Sequence, residues 1–174
     1  MHPQFSLSTE QKQQVIESTE AYIEKACQSL DIKLASIDVH FDLSGKSSGM
    51  FVVRQGKAYI RYNEIIFSSY FEDSVINTVA HEVAHYVVYS IHKWKSVKPH
   101  GAEWKSIMSL FEVSPEVTSK YEISSLPLKR QRHHDYKCQC MKHQLTTTRH
   151  NKIQNKKTTY HCKKCMQPLK YAGY

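Results

Sequence analysis

Apolar residues recur at helical spacing over the first thirty positions: Val15, Ile16, Thr19, Tyr22, Ile23, Ala26, Cys27 and Leu30 fall on one face. Ser8 and Gln11 form a capping box, so the pattern predicts an amphipathic helix over 8–30. Cys27 lies on the apolar face and is expected as a buried core thiol. The period then changes to two. Ile37, Val39, Phe41 and Leu43 alternate with polar residues, as in a half-buried strand. After a turn-rich stretch from Ser44 to Gly49, the runs Met50 to Arg54 and Ala58 to Tyr62 flank Gln55-Gly56-Lys57 like the arms of a hairpin. The expectation is an antiparallel sheet of about three strands. Helical spacing returns over 64–91, where Val75, Val79, Val83, Val87 and Ile91 mark a central helix covered on most sides. A polar loop over 92–99 ends in Pro99, a further helix runs from Ala102 to Phe111, and Ser114-Pro115 opens a last helical turn or two.

From about Leu126 the composition shifts. Residues 129–174 carry twelve Lys and Arg against one acid, Asp135, a net +11, whereas residues 1–128 carry twelve against fifteen acids, a net −3. The chain divides into a mildly acidic body, 1–128, and a basic tail, 129–174. Pro127 followed by Lys129-Arg130-Gln131-Arg132-His133-His134 reads as a basic linker. Such asymmetry points to a polyanion partner, nucleic acid first and anionic membrane second. A 40% hydrophobic content fits a globular protein and excludes a disordered or fibrous one. No run of 18 apolar residues suggests a membrane span, and MHPQFSLSTEQKQQ has no signal-peptide pattern, so a cytoplasmic protein is expected.

Chemistry enters with His81-Glu82-Val83-Ala84-His85, the HExxH pattern. Residues four apart share a helix face, so both imidazoles can reach one ion. Glu82 is rotated off that seam, yet it can reach a water on the metal. Zinc lowers the pKa of such a water towards about 7, and Glu82 can take its proton. The apolar flanks Val79, Ala80, Val83, Ala84, Val87 and Val88 make two unsatisfied histidines costly here, which favours a metal. Catalytic zinc takes three protein ligands and an open position. His100, at the start of the next helix beside Gly101, is the candidate third ligand, with His92 and Glu103 as rivals.

These residues carry a resemblance. His81-Glu82-Val83-Ala84-His85 followed by His100-Gly101-Ala102-Glu103-Trp104 resembles the SprT family of zinc metalloproteases, whose pattern pairs HExxH with a downstream HGxxW or HGxxF. Leu43-Ser44-Gly45-Lys46 and Ile60-Arg61-Tyr62-Asn63 also match the way SprT-like domains lead into the metal helix. The similarity spans about residues 8–170, with a plan closer to the short bacterial members than to the eukaryotic Spartan proteases. Those degrade proteins crosslinked to DNA and are switched on by DNA. The resemblance implies a zincin-like helical core, catalytic zinc on His81, His85 and His100, and Glu82 as general base. It further implies cleavage of DNA-associated or DNA-crosslinked proteins.

The tail holds a second motif. Cys138-x-Cys140 and Cys162-x-x-Cys165 are two short knuckles separated by 21 residues. Four thiolates so placed make a closed, structural zinc site, which can replace the core that 46 residues with few large apolar groups lack. The first knuckle has one spacer instead of two, Met141 and Met166 stand where knuckles often carry Gly, and His143 offers an alternative ligand. Between the knuckles, Thr146 to Lys152 and Lys156 to Tyr160 read as ribbon strands and a turn displaying cations to phosphates, with Tyr160 or His161 able to stack on a base. The whole is expected to be α+β: a helical core with a small antiparallel sheet, then a C-terminal zinc ribbon. Three functions compete: a zinc endopeptidase recruited to DNA, a non-proteolytic DNA-binding zinc protein, and a metal hydrolase acting on a non-peptide bond.

Overall fold

Ser8 starts the first helix, α1 (Thr9–Leu30): its hydroxyl accepts from the Gln11 N–H, and the Gln11 side chain accepts from the Ser8 N–H. These contacts come from a computed structural model that describes residues 5–92, 97–118, 120–129 and 132–173. The apolar face of α1 buries Val15, Thr19, Ile23 and Ala26 in the core, while Cys27 is only half-buried at its edge and Leu30 is exposed. The chain forms two units, residues 1–128 and 129–174.

In the first unit the hairpin arms are β2 (Gly49–Arg54) and β3 (Lys57–Tyr62), paired antiparallel around Gln55-Gly56, both at positive φ. The earlier strand is shorter than its alternation suggests, β1 (Asp38–His40), and it pairs with β3 in parallel, giving the order β1-β3-β2. The sheet is therefore mixed, which corrects the antiparallel expectation. A period of two reports which face is buried but not which neighbour a strand takes. Here the chain after β1 crosses to the far edge. Buried Asn63 pins that crossing by donating to the carbonyls of Gly45 and Ser47, at 2.9 and 3.2 Å.

Next come α2 (Glu64–Ser69), α3 (Phe71–Asp73), a π-helical turn over Ser74–Thr78, and α4 (Val79–His92). Helix α4 buries Val79, Ala80, Glu82, Val83, Ala84, Tyr86 and Val87, and it packs against α1, β2 and α5 (Ala102–Leu110). Part of the expected polar loop, residues 93–96, lies outside the described residues. No helix forms at Ser114-Pro115 in residues 114–118, contrary to the expectation. That stretch offers one apolar side chain, Val117, itself 50% exposed, so it has no face to bury.

The second unit is a three-stranded antiparallel sheet, β4 (His133–Lys137), β5 (Lys142–Thr146) and β6 (Lys170–Tyr171), in the order β5-β4-β6, with α6 (Thr147–Gln154) following β5. Two expectations are corrected here. His133 and His134, read as linker, begin β4; Arg130 and Gln131 lie outside the described residues. Thr147 to Lys152, read as strand and turn, is helical. Its threonines suggest a strand, but His150 and half-buried Ile153 turn towards the small core of Tyr136, Leu145, Cys162 and Leu169, His150 through Tyr136. Among the described residues no helix is long and apolar enough to cross a membrane.

Candidate metal centres

His81 and His85 stand one turn apart on α4, and their Nε2 atoms are 3.2 Å apart. His100 Nε2 lies 3.1 Å from that of His85 and 3.0 Å from that of His81. The chain reaches this arrangement through a left-handed residue at His100, φ +56°, a conformation that costs a non-glycine residue about 1–3 kcal/mol. Gly101 follows because space demands it: a Cβ there would lie 2.9 Å from the Lys98 carbonyl oxygen. Trp104, fully buried on α5, backs all three rings. Its indole N–H donates to the His81 carbonyl at 3.2 Å, and its ring centroid is 4.7 Å from both His81 and His100.

Burial first, then the neighbouring imidazoles, holds His81 down to about 4 and His85 to about 3; burial also lowers His100. All three rings are thus neutral near pH 7, the form that ligates metal. Three neutral nitrogens face one another where a tetrahedral zinc with bonds of about 2.0–2.1 Å would space its ligands a little over 3 Å apart. The donor set fits zinc. His92 ends α4 and Glu103 is exposed on α5; neither joins this cluster.

Glu82 is 6% exposed, and its Oε2 accepts the Phe51 N–H of β2 at 2.6 Å. Burial raises its pKa to about 7, partly opposed by that backbone bond. A carboxylate poised near neutrality is suited to take and return a proton. Gly49 is what lets β2 come so close: a Cβ there would fall 2.7 Å from Glu82 Cγ and 2.9 Å from Thr78 Cγ2. Neither Gly49 nor the Phe51 amide was legible beforehand, since a hairpin pattern does not reveal which strand end meets the metal helix.

In the second unit, the Sγ atoms of Cys138, Cys140, Cys162 and Cys165 all lie within 4.8 Å of one another, with Cys138 to Cys140 at 3.4 Å and Cys140 to Cys162 at 3.7 Å. Cys138 is drawn down to about 5: burial opposes this, but His143 and backbone N–H groups outweigh it. Cys140 is pushed up to about 12 by Cys138 and then Cys165. Four thiols so close cannot all ionise unaided, which is what a bound dication relieves. The Lys164 N–H already points at Cys162 Sγ, 3.4 Å away. His143 sits at the edge, its Nε2 3.3 Å from Cys138 Sγ, raised towards its protonated form by that thiol.

If these are two unlike sites, His100→Ala should lower zinc occupancy at the first and leave the second filled, as metal analysis of the purified protein would show. Unchanged occupancy would return the third-ligand role to His92 or Glu103.

The SprT-like family model matches residues 16–125 of this chain. Among curated relatives, Protein SprT of Pasteurella multocida is 37% identical over 132 residues, 75% of this chain and 76% of that protein. Protein SprT of Vibrio parahaemolyticus is 35% identical over 136 residues, 78% of each chain. Protein SprT of Shewanella oneidensis is 31% identical over 162 residues, 92% of this chain and 99% of the relative. No solved structure matches.

Proposed function

The chain belongs to the SprT-like family, and on that premise we propose that it is a cytoplasmic, zinc-dependent metalloendopeptidase with a zincin-like core and a C-terminal zinc ribbon. The observation that carries the reading is Glu82, buried against β2 and lining one cleft with His81 of the three-imidazole cluster. His81, His85 and His100 hold the catalytic zinc. When bound, that ion supplies carbonyl polarisation and a more acidic water. Glu82 is the base that takes the water's proton and passes it to the leaving amine. The Phe51 N–H fixes the carboxylate, and Trp104 excludes water from the far side of the imidazoles. Cys138, Cys140, Cys162 and Cys165 hold a structural zinc that reinforces the small core of the second unit.

The net +11 of residues 129–174 supports DNA as the partner, and hence DNA-associated or crosslinked proteins as substrates. The test is to incubate the zinc-loaded chain with a DNA-bound protein and with the same protein free, each with and without DNA. Cleavage that DNA stimulates is expected. Tight DNA binding with no cleavage of either protein would favour the competing reading, a non-proteolytic DNA-binding zinc protein.

A further inference from the structure

A cleft of about 720 Å³ opens beside His81 and Glu82. One side is the loop over 46–48 with Gly49 at the start of β2; the other is the chain after α5, from which Ser114, Glu116, Val117 and Thr118 line the cavity. Residues 114–118 belong to no helix or strand, so the position of this strap depends on how its ends are held. At the near end, buried Val113 donates its N–H to the Met108 carbonyl at 3.1 Å.

At the far end the fastening is Tyr121. Its hydroxyl donates to Asp73 Oδ2 at 2.6 Å, accepts from Ser74 Oγ at 3.1 Å and lies 3.5 Å from Thr78 Oγ1. Its ring stacks on Tyr70, with centroids 4.6 Å apart and planes 9° from parallel, and the Tyr70 hydroxyl donates to the Glu122 carbonyl at 2.8 Å. Asn77 steadies the other oxygen of Asp73, donating to Oδ1 at 2.8 Å. Ser74 and Thr78 are the two ends of the π-helical turn that runs straight into α4. Such turns recur at functional sites. Tyr121 therefore ties the strap to the same helical rod that carries His81 and Glu82. The cleft it bounds is mixed: Ser47, Ser48, Thr78, Ser114 and Thr118 supply hydroxyls, beside the rings of Tyr70 and Tyr121 and the side chain of Val117. Such a lining suits an extended chain, whose amides meet the hydroxyls while its side chains meet the rings.

We propose that this cleft receives the polypeptide on one side of the scissile bond, and that Tyr121 is the positioning residue that holds its outer wall. The proposal rests on the peptidase reading above. Two probes separate the metal from the cleft in the zinc-loaded full chain. Acetohydroxamate chelates metal alone, whereas a trialanine hydroxamate chelates metal and also extends along the cleft. Calorimetry should give the tripeptide probe an advantage of at least about tenfold. Tyr121→Phe keeps the ring stack and loses the hydroxyl, leaving Asp73 and Ser74 without their shared partner. It should erase most of that advantage while leaving acetohydroxamate within about twofold of wild type. Tyr121→Ala should act the same way, with retained acetohydroxamate binding as its proof of folding. A residue that only stabilised the fold would lower Tm and leave the ratio of the two affinities untouched, and that result would overturn the proposal. So would equal affinity of the two probes for wild type. Failure of acetohydroxamate to bind wild type would overturn the metal reading and this inference with it. A Tyr121-dependent advantage in a protein that cleaves nothing would support the cleft and sink the peptidase.

Discussion

Glu82→Gln should retain fold and zinc and lose about 10²–10⁴-fold or more of the hydrolysis rate, the usual cost of removing a general base. The amide matches the carboxylate in shape, and its oxygen can still accept the Phe51 N–H that now reaches Oε2 at 2.6 Å. What it cannot do is accept the water's proton. Stability supplies an independent check. In the metal-free chain burial lifts the Glu82 pKa from 4.5 to about 7. An acid whose pKa is raised on folding leaves stability intact below its unfolded value and costs stability as pH climbs towards its folded value. The penalty is fully present above about pH 7 and is on the order of 3 kcal/mol. A neutral amide at this position avoids it. Metal-free Glu82→Gln should thus melt higher than wild type at pH 8 and alike at pH 4, by thermal unfolding at each pH. A variant that is stabilised yet inactive identifies Glu82 as a group held against its own electrostatic preference. Equal hydrolysis in the variant would refute the mechanism.

The legibility of this molecule follows the reach of each signal. Local geometry carried well. The Ser8–Gln11 capping box, the Gln55-Gly56 hairpin and the four-residue spacing of His81 and His85 are each set by neighbours within a turn, and each has its counterpart in the structure. Long-range choices did not carry. The alternation of Ile37 to Leu43 could not say that β1 would pair in parallel with β3, because pairing depends on where the intervening loop crosses. The threonines before His150 spoke for a strand, and tertiary packing made them a helix. The same limit applies at the candidate site. The ligand types stand in the sequence, while the parts that aim them, the Phe51 amide, the space at Gly49 and the Tyr121–Asp73 anchor, are backbone and loop contacts with no motif of their own. Only the left-handed turn at His100 had a partial signal, in the glycine that follows it.

The tail should dominate DNA affinity, and salt is the variable that exposes it. Its excess of eleven positive charges sits on 46 residues, while residues 1–128 carry a net −3 and exert no long-range attraction on a polyanion. The cations are spread over the unit: Lys137 and Lys142 flank the β4–β5 turn, Arg149 and Lys152 lie on α6, and Lys163 and Lys164 lie within the second knuckle. No single face can present all of them, so about half, roughly six phosphate contacts, is a reasonable ceiling. Each neutralised phosphate releases condensed counterions, and six of them cost about 10³-fold in affinity between 50 and 200 mM salt. Fluorescence anisotropy of labelled DNA with the full chain should show that slope, and removal of residues 129–174 should abolish it together with most of the affinity. The truncated body should keep its first zinc, because His81, Glu82, His85 and His100 all precede the cut. Stripping zinc from the four cysteines should weaken binding in the full chain, since the small core of Tyr136, Leu145, Cys162 and Leu169 includes one of the metal's own candidate ligands. The order of loss is the discriminating feature. A disordered basic tail would bind DNA with the same salt slope whether or not zinc is present, and that outcome would remove the ribbon from the account of DNA binding while leaving the charge in it.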